Sequence, residues 1–144
     1  MYSAAQWRSA RAAFGRANGG FTLIELMITV AVLALLVSIA YPAYQQQVMR
    51  GRRSSAKAAM MDIANREQQY LLATRGYADT ATLQATGYAM PADITNFYTW
   101  AVAAPAGAVP TYTITFTPIG PQITDGALTL DQAGNRQPLA KWDQ

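Results

Sequence analysis

From Phe21 to Tyr41 the chain holds 21 residues and a single charge, Glu25. As a helix rising ~1.5 Å per residue this stretch is roughly 31 Å long, which matches the hydrocarbon core of a bilayer. After Tyr41 the pattern changes. Ala56, Ala59, Met60, Ile63, Tyr70 and Leu71 form an apolar stripe at helical spacing, with Arg, Gln, Asp and Glu elsewhere. One helix from about Phe21 to about Thr74 accounts for both patterns. Its first half is apolar all round, and its second half has one face to bury. Pro42 removes the hydrogen bond to the Ser38 carbonyl and predicts a kink or break there. Gly51 costs the helix ~1 kcal/mol. Gly76 suits the left-handed residue past its end.

Residues 76–91 read as a loop, with a short helical piece at Thr80 to Leu83 and with Tyr77 and Tyr88 as packing residues. Strand patterns follow. Asn96 to Ala103 is rich in aromatic and β-branched residues, and in Thr111 to Thr117 the side chains Tyr112, Ile114 and Phe116 alternate with threonines. The segment Ala104 to Pro110 connects them as a hairpin, and Leu128 and Leu130 mark a third strand. Gly120-Pro121 and Asp125-Gly126 are turn signals, and Gly134-Asn135 opens a hairpin toward an edge strand within Arg136 to Trp142. The fold class is therefore α+β. A sheet of three or four antiparallel strands lies on the second half of the long helix, one face buried and one wet.

Within the apolar run Glu25 is the anomaly, because a carboxylate in lipid costs on the order of 2.5–3.5 kcal/mol unless it pairs or reaches the interface. Just before it, Gly19-Gly20 is a backbone that a protease can grip. A cut after Gly20 makes Phe21 a new amino terminus, and its ammonium has the right sign for Glu25. The charge balance also divides there. Arg8, Arg11 and Arg16 precede Gly20, so eight of the eleven basic residues remain against eight acids, and the net charge of +3 belongs to the uncut chain. Cysteine and histidine are both absent. That removes disulfides, thiolate chemistry and the commonest general base and metal ligand.

The segment Gly20-Phe21-Thr22-Leu23-Ile24-Glu25, with its apolar run and the Tyr41-Pro42-Ala43-Tyr44 that ends it, resembles the class III signal of type IV pilins. In outline the rest is closest to the PilE-like minor pilins, through Gly76-Tyr77-Ala78 after the helix and Leu128-Thr129-Leu130-Asp131 with Gly134 near the end. The resemblance implies a cleaved leader (1–20), a transmembrane and assembly helix (21–41), an amphipathic continuation (42–75) and a globular head (76–144). It implies that prepilin peptidase cuts between Gly20 and Phe21, that Phe21 is N-methylated, and that Glu25 is needed for assembly by pairing with the first residue's amine on a neighbouring subunit. Pro42 would mark a segment that loses helicity in the fibre. The implied partners are other pilin subunits, the peptidase, the inner-membrane assembly machinery and, before assembly, the lipid bilayer. The precursor would cross the inner membrane once with its head periplasmic, and the product would be an extracellular pilus.

One departure stands out. Many such pilins pin their last loop with a disulfide, and here the corresponding places hold Asp125 or Gly126 and Lys141, beside Trp142. An exposed Asp125–Lys141 ion pair, contributing ~0–1 kcal/mol, would stand in for it. The basic run Arg50-Gly51-Arg52-Arg53 with Lys57 reads as a solvated helix face, with phosphate binding as the alternative. Asp125, Asp131 and Asp143 fit no EF-hand spacing, so no metal, cofactor or catalysis is expected. Three other readings stay open: a type II secretion pseudopilin, a DNA-receptor pilin, and a secreted protein cut after Ala40 in Ser38-Ile39-Ala40. Formal neutrality after Gly20 argues against nucleic acid as a partner.

Overall fold

The structure is a computed structural model and describes residues 20–143. The expected leader, with Arg8, Arg11, Arg16 and Gly19, lies outside the described residues apart from Gly20. The chain divides into two compact units, one ending at Ile39 and one running from Ala40 onward. Helix α1 (Leu23–Thr74) contributes residues to both.

In the first unit every described residue is exposed, and α1 there is long and apolar enough to cross a membrane. Among the described residues of that unit, nothing covers Leu33, Leu36 or Ile39. A helix apolar on all sides and packed against nothing is stable only in an apolar surrounding.

In the second unit α1 stays helical through Pro42, so the expected break is not present in this structure. A proline removes one hydrogen bond, and its fixed φ is itself helical, so flanking turns can carry the helix past it. The stripe Ala56, Ala59, Met60 and Ile63 is buried as expected, while Tyr70 and Leu71 are half-buried. Two charged residues share that stripe, Arg53 and Glu67. The helix ends at Thr74 as expected, but the left-handed position past it is Arg75, at φ 61°, rather than Gly76. Its N–H still closes a turn on the Leu71 carbonyl at 2.8 Å. Gly51 is exposed, and a Cβ built on it meets nothing within 4 Å. Gly51→Ala is therefore expected to stabilise the unit by about 1 kcal/mol, read as a raised melting temperature. A lowered one would mean that the position needs glycine for a reason outside helix propensity.

The connection to the sheet carries α2 (Thr80–Ala85), capped by Asp79, whose Oδ1 accepts from Thr82 N–H at 2.8 Å. A second short helix, α3 (Ala92–Thr95), occupies residues that had no helical pattern, just after Pro91. Four antiparallel strands follow in the order β1 (Tyr98–Ala103), β2 (Thr113–Pro118), β3 (Leu128–Asp131) and β4 (Arg136–Gln137). Val102 pairs with Ile114, and Ile114 with Leu130. Tyr98, Val102, Tyr112, Ile114, Phe116, Leu128 and Leu130 share one core with the stripe of α1. Tyr77 stacks edge-on against Tyr112, and Tyr88 against Trp100.

Two turn-rich segments depart from expectation. Gly120–Asp125 is a 3-10 helix rather than a simple turn, and it buries Gln122 and Asp125. The edge strand is only two residues long. Pro138, which has no N–H for a ladder, ends it, and a helical turn, α4 (Leu139–Trp142), takes the remaining residues.

Candidate functional site

At the amino-terminal site Gly20 and Phe21 precede the helix, and Phe21 is 79% exposed. Thr22 starts the helix with its side chain. Its Oγ1 accepts from Glu25 N–H at 3.2 Å, and its carbonyl accepts from Leu26 N–H at 3.2 Å. Thr22-x-x-Glu25 has the spacing of a capping box, which satisfies helix-end donors that lipid would leave unpaired. Glu25 thereby stands in the first turn, at the end of the helix dipole that favours an anion. Among the described residues it has no ion-pair partner. The dipole offsets only part of the cost of that carboxylate in an apolar medium, so a cation of complementary placement would still stabilise it.

In the second unit, the residue expected to pair with Lys141 sits at the centre of a larger cluster. Asp125 is 4% exposed. Arg53 donates to it from both Nε (2.9 Å) and Nη2. Tyr98 Oη and Gln122 Nε2 donate to Oδ2 at 3.0 and 3.1 Å. Lys141 Nζ lies 3.4 Å from Oδ1. Gln122 Nε2 also reaches the Met49 carbonyl at 3.0 Å. The cluster thus ties α1 to β1, the 3-10 helix and α4. Burial pushes the Asp125 carboxyl upward, but the Arg53, Gln122 and Tyr98 hydrogen bonds outweigh it and hold the pKa at about 2. Burial first, and then the Asp125 charge, raise the Tyr98 phenol well above its usual value.

Two expectations change here. The Asp125–Lys141 contact was expected on the surface as a weak pair, whereas the carboxylate is buried and its main partner is Arg53. Arg53 was read as part of a solvated basic face, yet it is 5% exposed. The signal was in the spacing: 53, 56, 60, 63 and 67 advance by three and four, so the basic run and the apolar stripe share a face. Lys57 Nζ donates to the Trp142 carbonyl at 2.9 Å, and Arg136 lies over the Trp142 ring.

Glu67 is the second buried charge, fully covered. Its Oε2 accepts from Ala78 N–H at 2.8 Å and ties the loop start to α1, while Oε1 has no partner among the described residues. Burial raises its pKa, the Ala78 hydrogen bond opposes this, and Asp79 adds to the rise. A carboxyl raised on folding stabilises the fold least when ionised, so its contribution declines as pH rises above about 4.5. Glu67→Gln keeps an acceptor for Ala78 and is expected to remove that decline in denaturation midpoints measured from pH 5 to 7. Glu67→Ala, which orphans the Ala78 N–H, is expected to cost about 1–3 kcal/mol. An unchanged pH dependence in the glutamine variant would contradict the assignment.

A prokaryotic N-terminal methylation motif matches residues 15–41, spanning Gly20, Phe21 and Glu25. A second family, described as type IV minor pilin ComP, DNA uptake sequence receptor, matches residues 42–130, more than half of the chain. The chain belongs to this type IV minor pilin family. Among relatives of the pilin, the type IV major pilin protein PilA of Myxococcus xanthus is 34% identical over 94 residues, 65% of this chain and 41% of PilA. A fimbrial protein of Neisseria meningitidis is 33% identical over 90 residues, 62% of this chain and 52% of that protein. Fimbrial protein EcpC of Eikenella corrodens is 57% identical over 37 residues, 26% of this chain and 24% of EcpC. The pilin thus spans about half or less of the length of these relatives. Its long apolar helix and four-stranded antiparallel sheet form the α+β architecture expected from the sequence.

Proposed function

We propose that this pilin is made as a single-pass inner-membrane precursor with its head periplasmic, is cut after Gly20 by prepilin peptidase, and is N-methylated on Phe21. It then leaves the bilayer for a fibre, with other pilin subunits as neighbours and the membrane assembly machinery as its handler. The observation that carries this reading is the first unit of α1: apolar on every side, uncovered, with one acid in its first turn. Such a helix is soluble in lipid or among its own kind, and exchange between those two settings is the mechanism. It involves no catalysis. In the fibre, the amine of Phe21 on one subunit answers Glu25 on the next, satisfying two desolvated charges together. The clamp around Asp125, including Lys141, acts as the loop pin in place of a disulfide. Pro42 is the point at which α1 gives way if the helix melts on assembly.

The test is the presence of the chain in fibres sheared from cells and washed free of membrane. Recovery in that fraction supports the reading, and retention wholly in membranes or in the soluble medium contradicts it.

The family's description favours a second reading, in which the head receives DNA. Overall neutrality argued against it, but neutrality after Gly20 does not describe the local field. Arg50, Lys57, Arg136 and Lys141 lie on or beside the segments that meet at the clamp. Under this reading the full chain retards a labelled duplex, with an affinity that falls steeply with salt. Equal mobility with and without protein at low salt would dismiss it.

A further inference from the structure

Beside the clamp the second unit has a cleft of about 170 Å³, lined among others by Gln46, Arg50, Arg53, Thr124, Asp125 and Lys141. The cleft is small, with room for a handful of waters at ~30 Å³ each or for one tetrahedral phosphate. Its walls hold three cations against one acid. Arg53 and Asp125 largely answer each other, and Lys141 shares the same carboxylate, 3.4 Å from Oδ1. Arg50 is exposed and makes no ion pair among the described residues. Gln46 brings a further donor to the rim, while the Thr124 hydroxyl is turned to Met49 Sδ at 3.9 Å. Such a wall is built for an anion, one whose charge the Asp125 carboxylate has not already supplied.

The place of the cleft on α1 identifies the anion. Arg50 is the first charged residue after Glu25, nine residues past the Tyr41 that closes the apolar run. Nine residues of helix rise roughly 14 Å, and an extended arginine reaches back toward the membrane boundary along its own stem. Tyr41 and Tyr44 are exposed on the preceding turns, and with Arg52 and Pro121 they line a neighbouring groove of about 280 Å³. Exposed tyrosines just past an apolar helix, followed by arginines, are the side chains that settle at lipid headgroups.

The geometry points to a headgroup site: the cleft of Arg50, Arg53 and Lys141 takes the phosphate of an anionic phospholipid. The inference rests on the membrane-anchored reading above and goes beyond it. The bilayer becomes a specific ligand of the base of the head, and the pilin must give up that ligand when it enters a fibre. A duplex fits the observations less well, because two of the three cations are recessed in a cleft with room for one phosphate.

The test uses the full chain in detergent micelles, offered equal amounts of dioleoylphosphatidylglycerol and dioleoylphosphatidylcholine, with lipid adducts read by native mass spectrometry. The phosphatidylglycerol adduct is expected to dominate. Arg50→Ala and Lys141→Ala are each expected to reduce it about five-fold, the ~1 kcal/mol that a basic residue gains at an anionic surface. Arg75→Asn, a charge loss at the far end of α1, is expected to leave it unchanged, and thermal melts check that every variant is folded. Equal retention of the two lipids, or a preference that survives both cleft variants, overturns the site. Displacement of the adduct by millimolar inorganic phosphate or by a short duplex, abolished in Arg50→Ala, assigns the cleft to those ligands and also overturns it. Failure of the chain to enter vesicles of either lipid would instead count against the anchored precursor itself.

Discussion

Truncating Asp125 to alanine is expected to lower the stability of the head by about 3–5 kcal/mol, the range for removing one partner of a buried ion pair. The cost comes from what is left behind. Arg53 would remain desolvated, and Tyr98 and Gln122 would each lose an acceptor. Replacing the pair together, Arg53→Met with Asp125→Leu, is expected to recover most of the loss, because apolar residues of similar volume leave no orphaned charge. Urea midpoints of the three variants measure this. A double variant as unstable as Asp125→Ala would show that packing and the acceptor lost to Tyr98 and Gln122, not the Arg53 charge, set the cost.

The same carboxylate sets the acid limb of stability. Its pKa falls on folding from 3.8 to about 2, so its contribution is complete above pH 4 and is lost as pH falls through about 2. That difference corresponds to roughly 2 kcal/mol, at ~1.4 kcal/mol per tenfold change. Asp125→Asn should therefore flatten the stability profile between pH 4 and pH 2. An undiminished slope there would move the acid sensitivity to another group.

Exchange of Glu25 for alanine is expected to reduce fibre incorporation on the order of 100-fold while cleavage after Gly20 continues. Losing one member of a desolvated charge pair costs about 2–5 kcal/mol, and in a fibre the orphan would be the Phe21 amine of the neighbouring subunit. Glu25→Gln, which keeps the shape and an acceptor, is expected to fall between. The measurement is the ratio of processed subunit in sheared fibres to processed subunit in membranes. Normal incorporation of processed Glu25→Ala would leave α1 a membrane anchor with no electrostatic part in assembly.

The parts of the molecule legible in the sequence are those where one periodicity ran unopposed. The apolar run gave the first half of α1, Ala56 to Ile63 gave its buried face, and the alternation of Tyr112, Ile114 and Phe116 gave β2. Short-range chemistry was legible at Gly134, where one residue type suits one turn. The clamp was not, because it joins Arg53 to a carboxylate 72 residues later, and helical spacing says which face a residue is on without saying what waits there. Charge class also misled. Arg53 and Glu67 sit on the apolar stripe, where partners from other segments answer Arg53 and one oxygen of Glu67, Oε2, but not Oε1 among the described residues. The short edge strand follows from Pro138, which has no N–H for the ladder. Thr22-x-x-Glu25 carries the spacing of a helix cap in the sequence itself, and the structure realises it through the Thr22 side chain.

Both the pairing at Glu25 and the exit from lipid presuppose one covalent event, the release of an amine at Phe21. Mass spectrometry of the amino-terminal peptide from the chain recovered in fibres tests it directly. The account predicts a peptide that begins at Phe21 and carries one methyl group on its nitrogen. A chain that begins at Tyr41, or one that still carries Met1, would contradict it.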